Sequence, residues 1–144
     1  MTNLTKIRRV CVAALMLALL VGASPALMSA GATSGTTVAR RVCDYDWQRS
    51  TYQLKRMIRC AARRWHVAGG PRKAVSVARC ESGFSPDAYN PGGYAGVYQQ
   101  ATRYWPGRSD TYGFPDRSVY NGRANIMVSV RMAHRVGWYP WSCA

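Results

Sequence analysis

Cys80-Glu81-Ser82-Gly83-Phe84-Ser85-Pro86-Asp87-Ala88-Tyr89-Asn90-Pro91, followed by Gly92-Gly93-Tyr94-Ala95-Gly96-Val97-Tyr98-Gln99, decides the reading of this 144-residue chain. Before it, apolar residues recur at helical spacing; within it, glycine, proline, asparagine and tyrosine take over. Glu81 is the only glutamate in the sequence and stands at that break. A lone carboxyl ringed by aromatics and amides suits sugar cleavage, where an acid protonates the leaving oxygen and flat rings hold the sugar faces.

Two helical patterns lead into this stretch. From about Ser50 to Val67, Leu54, Met57, Ile58, Ala61 and Trp65 recur at three- and four-residue intervals. Lys55, Arg56, Arg59, Arg63 and Arg64 mostly take the other faces and read as a solvated surface; His66 reads as a surface or capping residue. Gly69-Gly70-Pro71 ends one helix and opens the next, predicted from Pro71 to Cys80 or Ser82 with Ala74, Val75, Val77 and Ala78 buried. Glu81 then falls in the last turn, where the helix dipole disfavours negative charge. Partial burial acts in the same direction, so a raised pKa and a protonated acid are expected.

After the break, Ser85 to Gly96 reads as loop or short hairpin, and Gln99 to Trp105 as a brief helix ended by Pro106-Gly107. Residues 106–117 read as loop. A longer helix is predicted from about Ser118 to Arg135, capped by Asp116 and stopped by Gly137, with Ile126, Val130 and Ala133 on its apolar face. His134 in its last turn meets the helix dipole. Trp138-Tyr139-Pro140-Trp141-Ser142-Cys143 forms an aromatic strap.

The chain starts with Lys6, Arg8 and Arg9, an apolar run from Val10 to Val21, and a small-residue site at Ala30-Gly31-Ala32, the pattern of a secretory signal over residues 1–32. The run is shorter than the roughly 20 residues a membrane span needs. Residues 33–45 read as a flexible segment and 46–144 as one domain, with no transmembrane span once the signal is removed. Without the leader, 17 basic residues face 6 acidic ones, a net charge of about +11. That charge indicates an anionic partner, and export favours a cell-wall polymer over nucleic acid.

Cys11 lies in the leader; Cys43, Cys60, Cys80 and Cys143 remain, an even number in an exported chain. Two disulfides are expected, and of the three possible pairings Cys43–Cys60 with Cys80–Cys143 is favoured, the latter tying the C-terminus beside Glu81. No C-x-x-C spacing occurs and the two histidines lie far apart, so neither a metal nor a cofactor is expected. Asp87, Asp110 and Asp116 are the candidates for a second carboxylate. Asp116 reads as a cap and Asp87 as a turn residue, a shortage that favours attack by the sugar's own N-acetyl group.

Glu81-Ser82-Gly83-Phe84-x-Pro-x-Ala-x-Asn-Pro-x-Gly, then Gly96-Val97-Tyr98-Gln99, resembles the first two signatures of lytic transglycosylases with the soluble-transglycosylase (SLT) catalytic domain, relatives of goose-type lysozyme. Asn125-Ile126 is similar to the pair that opens a later helix in that family. The resemblance spans about Ala74 to Met132. It implies a mainly α, lysozyme-like, disulfide-stapled domain with a small loop or hairpin at the active site. It implies a secreted enzyme, found extracellularly or in the cell wall, that cuts peptidoglycan glycan strands between N-acetylmuramic acid and N-acetylglucosamine. Glu81 would act as acid and then base while the muramyl hydroxyl closes a 1,6-anhydro ring. Ser82 would support the glutamate, Gln99 would orient the loop or bind substrate, and Tyr98 would line the cleft; Asn125 belongs to the same set. The family's later Ala-Tyr-Asn signature is missing, leaving Tyr120 or Tyr139 as replacements for its tyrosine. Val97-Tyr98 also stands where leucine and an apolar residue are usual.

Among five tryptophans and nine tyrosines, Tyr94, Tyr98 and Trp105 flank the glutamine loop and are the best-placed sugar contacts. A monomer is expected. The rival readings are a peptidoglycan hydrolase completed by Asp87 or an ordered water, a non-catalytic cationic wall-binding module, and, more remotely, a nucleic-acid binder.

Overall fold

The spacing of Leu54, Met57, Ile58 and Ala61 produces α1 (Thr51–Arg64) in the computed structural model, which describes residues 41–144. These four side chains and Ala62 are buried, while Trp65, at the helix end, is half-buried against the core. Ser50 caps the helix by accepting from the Gln53 N–H, satisfying a donor with no partner inside the helix. α2 (Gly70–Ser82) starts with Pro71 in its first turn and ends on Gly83, whose left-handed φ of 60° suits a glycine. It buries Ala74, Val77 and Ala78, and leaves Val75 half-buried.

The break after Glu81 folds as a small antiparallel sheet of two-residue strands: β1 (Tyr89–Asn90), β2 (Tyr94–Ala95) and β3 (Gln100–Ala101). Tyr89 pairs with Ala95 and Asn90 with Tyr94; Ala95 then pairs with Gln100. The helix expected over Gln99 to Trp105 is therefore corrected. Gln100 and Ala101 extend the hairpin, one 3₁₀ turn follows at Thr102–Tyr104, and α3 occupies Trp105–Thr111. Pro106 opens a helix instead of ending one, because a proline in the first turn sacrifices an N–H that has no helical partner. Residues 106–111, read as loop, are helical.

The last helix, α4 (Gly122–Val136), starts later than predicted. Asn121 caps it by accepting from the Ala124 N–H, while Asp116 sits upstream in a turn with φ of 57° and caps nothing. From Ala124 to Val130 every residue of α4 is buried. A helix surrounded on all sides is the core of its domain, and α4 packs against α1 and α3. Gly122 is part of that packing: a Cβ there would come within 2.5 Å of the Trp47 ring. Gly137 ends the helix as expected.

Both favoured disulfides are present, Cys43–Cys60 and Cys80–Cys143, with Cα separations of 5.7 and 5.8 Å. Roughly half of the described residues are helical. The predicted leader and residues 33–40 lie outside the described residues. Residues 41–45, placed by the sequence in a flexible segment, are pinned by the first disulfide and by Arg123, which donates to the carbonyls of Cys43 (2.9 Å) and Val42 (2.6 Å). Among the described residues no helix is long and apolar enough to cross a membrane.

Candidate active site

Glu81 lies in the last turn of α2, half-buried, at a cavity of about 280 Å³. Asn90, Tyr94 and Gln99 form one wall of the cavity; Pro140, Trp141 and Ser142 form the other. The Cys143 N–H donates to Glu81 Oε1 at 3.3 Å. Burial pushes the Glu81 carboxyl above the usual glutamate range, and the Cys143 N–H only partly offsets it by favouring the ionised form. The net shift favours the protonated carboxyl, the state a general acid needs. No aspartate lines this cavity.

The hairpin wall is held by polar groups converging on Asn125, which is fully buried in the first turn of α4. Its Oδ1 accepts from the Tyr98 N–H at 2.9 Å, and its Nδ2 donates to the carbonyls of Val119 (2.9 Å) and Ala95 (3.3 Å). One side chain therefore satisfies three buried backbone groups, two in the hairpin and one in the loop before α4. Gly96 makes the approach possible: its φ is 79°, and an added Cβ would meet the Val119 carbonyl at 2.6 Å. Ser82 donates to the Val97 carbonyl at 2.8 Å, tying the end of α2 to the same turn. Gln99, with φ of 44°, donates through Nε2 to the carbonyls of Gly96 (3.0 Å) and Ala88 (3.3 Å), which sets its place at the cavity.

The opposite wall is the C-terminal strap. Trp138 and Trp141 pack edge to face at 5.2 Å, and both rings contact Tyr98. Each indole N–H is used: Trp138 donates to the Ala68 carbonyl at 2.8 Å and Trp141 to the Tyr98 carbonyl at 2.9 Å. The Cys80–Cys143 bond then closes the strap onto α2 one residue before Glu81.

Of the residues picked out from the sequence, Glu81, Tyr94 and Gln99 meet at the cavity; the others do not line it. Tyr98 is fully buried behind the wall, its hydroxyl donating to the Ala74 carbonyl at 2.9 Å, and burial pushes its phenol pKa upward. Asn125 and Ser82 organise the wall from behind. Trp105 is buried and donates to the Arg117 carbonyl at 2.6 Å, while Tyr120 is 38% exposed away from the cavity. Neither Asp87, Asp110 nor Asp116 reaches the cavity lining. Asn90, Pro140, Trp141 and Ser142 are not singled out by the sequence; the signal for the last three is the aromatic strap ending in Cys143, whose favoured partner Cys80 immediately precedes Glu81. Among the described residues no cluster of three or more His, Cys, Asp or Glu forms a metal-binding group.

Comparison of the chain with protein-family models, with curated proteins and with solved structures finds no match in any of the three.

Proposed function

We propose that the protein is a secreted peptidoglycan lytic transglycosylase on a lysozyme-like α-helical scaffold, with Glu81 as its acid and base. The observation that carries this reading is the placement of the chain's sole glutamate, half-buried and with a raised pKa, at a cavity that no aspartate shares. An acid without a carboxylate partner fits substrate-assisted cleavage better than the two-carboxylate route.

Glu81 donates its proton to the oxygen linking N-acetylmuramic acid to N-acetylglucosamine, and the carbon–oxygen bond to the muramyl C1 breaks. The neighbouring N-acetyl oxygen takes up the positive charge at C1. Glu81, now a carboxylate, removes the proton from the muramyl C6 hydroxyl, whose oxygen attacks C1 and displaces the acetamido oxygen. The 1,6-anhydro ring closes and Glu81 ends protonated, as it began. Tyr94 offers a ring to a sugar face, and Gln99 and Ser142 offer polar groups to hydroxyls. The two disulfides belong to an oxidising compartment, and the large positive charge suits an anionic wall.

Mass spectrometry of digested glycan is the test. Wild type should release anhydro-muramyl ends, one water lighter than hydrolytic ends. Glu81→Gln should lower turnover by about 10²–10⁴-fold while wall binding persists. Unchanged turnover in that variant would sink the assignment, and water-bearing ends would point to the hydrolase.

A further inference from the structure

A second cavity, of about 140 Å³, shares Tyr94, Gln99, Pro140 and Trp141 with the cavity at Glu81 and continues to Arg103, Tyr104 and Arg108. The two guanidiniums lie against the Tyr104 ring, at 4.8 Å for Arg103 and 5.2 Å for Arg108. Arg108 is the more constrained of the pair. Its Nη1 donates to Gln100 Oε1 at 2.6 Å, and Gln100 Nε2 donates to Ser129 Oγ at 2.7 Å. Gln100 is 2% exposed and Ser129 is fully buried, so a buried amide and hydroxyl are committed to holding one guanidinium at the cavity.

Gln100 is a neutral partner, and no carboxylate figures among the charges that act on Arg108. Partial burial pulls its pKa below the usual guanidinium range, so its charge is maintained against a desolvation cost that the protein does not offset with an anion. A guanidinium carries five N–H donors in a planar fork that matches a carboxylate, and only one bond to a described side chain is made here.

The geometry points to Arg108 as an anion-binding, specificity-determining residue of the cleft that takes a carboxylate borne by the glycan strand, with Gln100 and Ser129 fixing its fork. This rests on the glycan-cleaving reading of Glu81 and adds a requirement to it: the strand must present an acid group beyond Tyr94 and Trp141, which line both cavities. Two parts of peptidoglycan supply that chemistry, the lactyl carboxylate of strands without peptide and the carboxylates of the peptide stem.

Calorimetric titration separates these outcomes, using the Glu81→Gln protein so that strands are bound but not consumed. The probes are strands stripped of peptide and strands bearing it, each with free carboxylates and with those groups converted to amides. Amidation should weaken binding by about tenfold to a hundredfold, the range for a hydrogen-bonded charged group, and the strand type that loses affinity identifies the source. Adding Arg108→Gln should make free and amidated strands bind alike, at the weaker level. Arg108→Lys, which keeps the charge without the fork, should retain part of the discrimination. Arg72→Gln, the same charge loss at the start of α2 in a separate cavity, should retain all of it. Discrimination that survives Arg108→Gln, or a parent that never discriminates, overturns the proposal; melting curves recorded in parallel establish that each variant is folded. Absence of anhydro ends from a wild-type digest would defeat the proposed activity instead, and the titration would still report on Arg108.

Discussion

The hairpin wall of the cleft and the strap wall are held in different ways. The hairpin has two-residue strands, too short to support themselves, and stands because Asn125 reaches out of α4 to three backbone groups while Ser82 and Gln99 secure the turn. Its stability is polar and buried. The strap has no regular structure and is held by Trp138 stacked on Tyr98, Trp141 set edge-on to it, and one disulfide. Tyr98 serves both walls: its N–H goes to Asn125, its carbonyl takes the Trp141 N–H, and its ring lies under Trp138. The acid between the walls belongs to α2 but takes its hydrogen bond from the strap. The difference predicts that damage to the hairpin is paid in stability, whereas damage to the strap also reaches the chemistry of Glu81.

The hairpin side should break hardest. Asn125→Ala leaves the Tyr98 N–H and the Val119 and Ala95 carbonyls without their partner in a water-excluded core. At about 1–3 kcal/mol for a buried group left unpaired, a total loss of about 3–5 kcal/mol is expected in urea unfolding. A loss under about 1 kcal/mol would mean that Asn125 does not organise this wall.

Paired disulfide variants sharpen the contrast. Replacing Cys80 and Cys143 by serine should cost about 2–4 kcal/mol and also lower glycan turnover, because the Cys143 N–H is no longer held on Glu81. Replacing Cys43 and Cys60 should cost about 3 kcal/mol, the value for a short loop, with turnover within about twofold below the melting temperature. Equal effects on turnover would erase the distinction between the strap and an ordinary staple.

The smallest effect is a pH dependence at the meeting point of the walls. The folded-state pKa of Glu81 is raised, so the fold favours its protonated form. Its stabilising share is complete below the pKa of an unfolded glutamate and is lost as pH rises through the higher folded value. Glu81→Gln does not titrate, so the stability of the variant relative to the parent should increase across that window. The half-exposed position keeps the gain small, and a parent that strengthens against the variant over the same window would reverse the assigned shift.

Much of the frame was legible because it depends on local rules. The period of Leu54, Met57, Ile58 and Ala61 and the Gly-Gly-Pro punctuation placed α1 and α2, and that placement put Glu81 in a last turn. Four cysteines after the predicted leader pointed to two disulfides, and the favoured pairing is the one observed. The departures fall where a local signal has two meanings: Pro106 reads as a stop, yet a first-turn proline starts a helix, and Asp116 reads as the cap that Asn121 supplies five residues later.

The site was legible only in part. Residue type and position singled out Glu81 and Tyr94, and the family resemblance added Gln99 and Asn125, but neither said which of them would reach the cavity. Tyr98 carries a ring and a hydroxyl suited to sugar, yet it is buried with both used internally. Trp141 and Ser142, about 60 positions from Glu81 in sequence, reach the cavity only because a disulfide folds the strap back. Local pattern thus determined α1, α2, the number of disulfides and the place of Glu81 in a last turn, since each depends on residues close in sequence or on a count. Which side chains surround that acid was decided by tertiary structure, because burial and long-range hydrogen bonding depend on where α4 and the C-terminus come to rest.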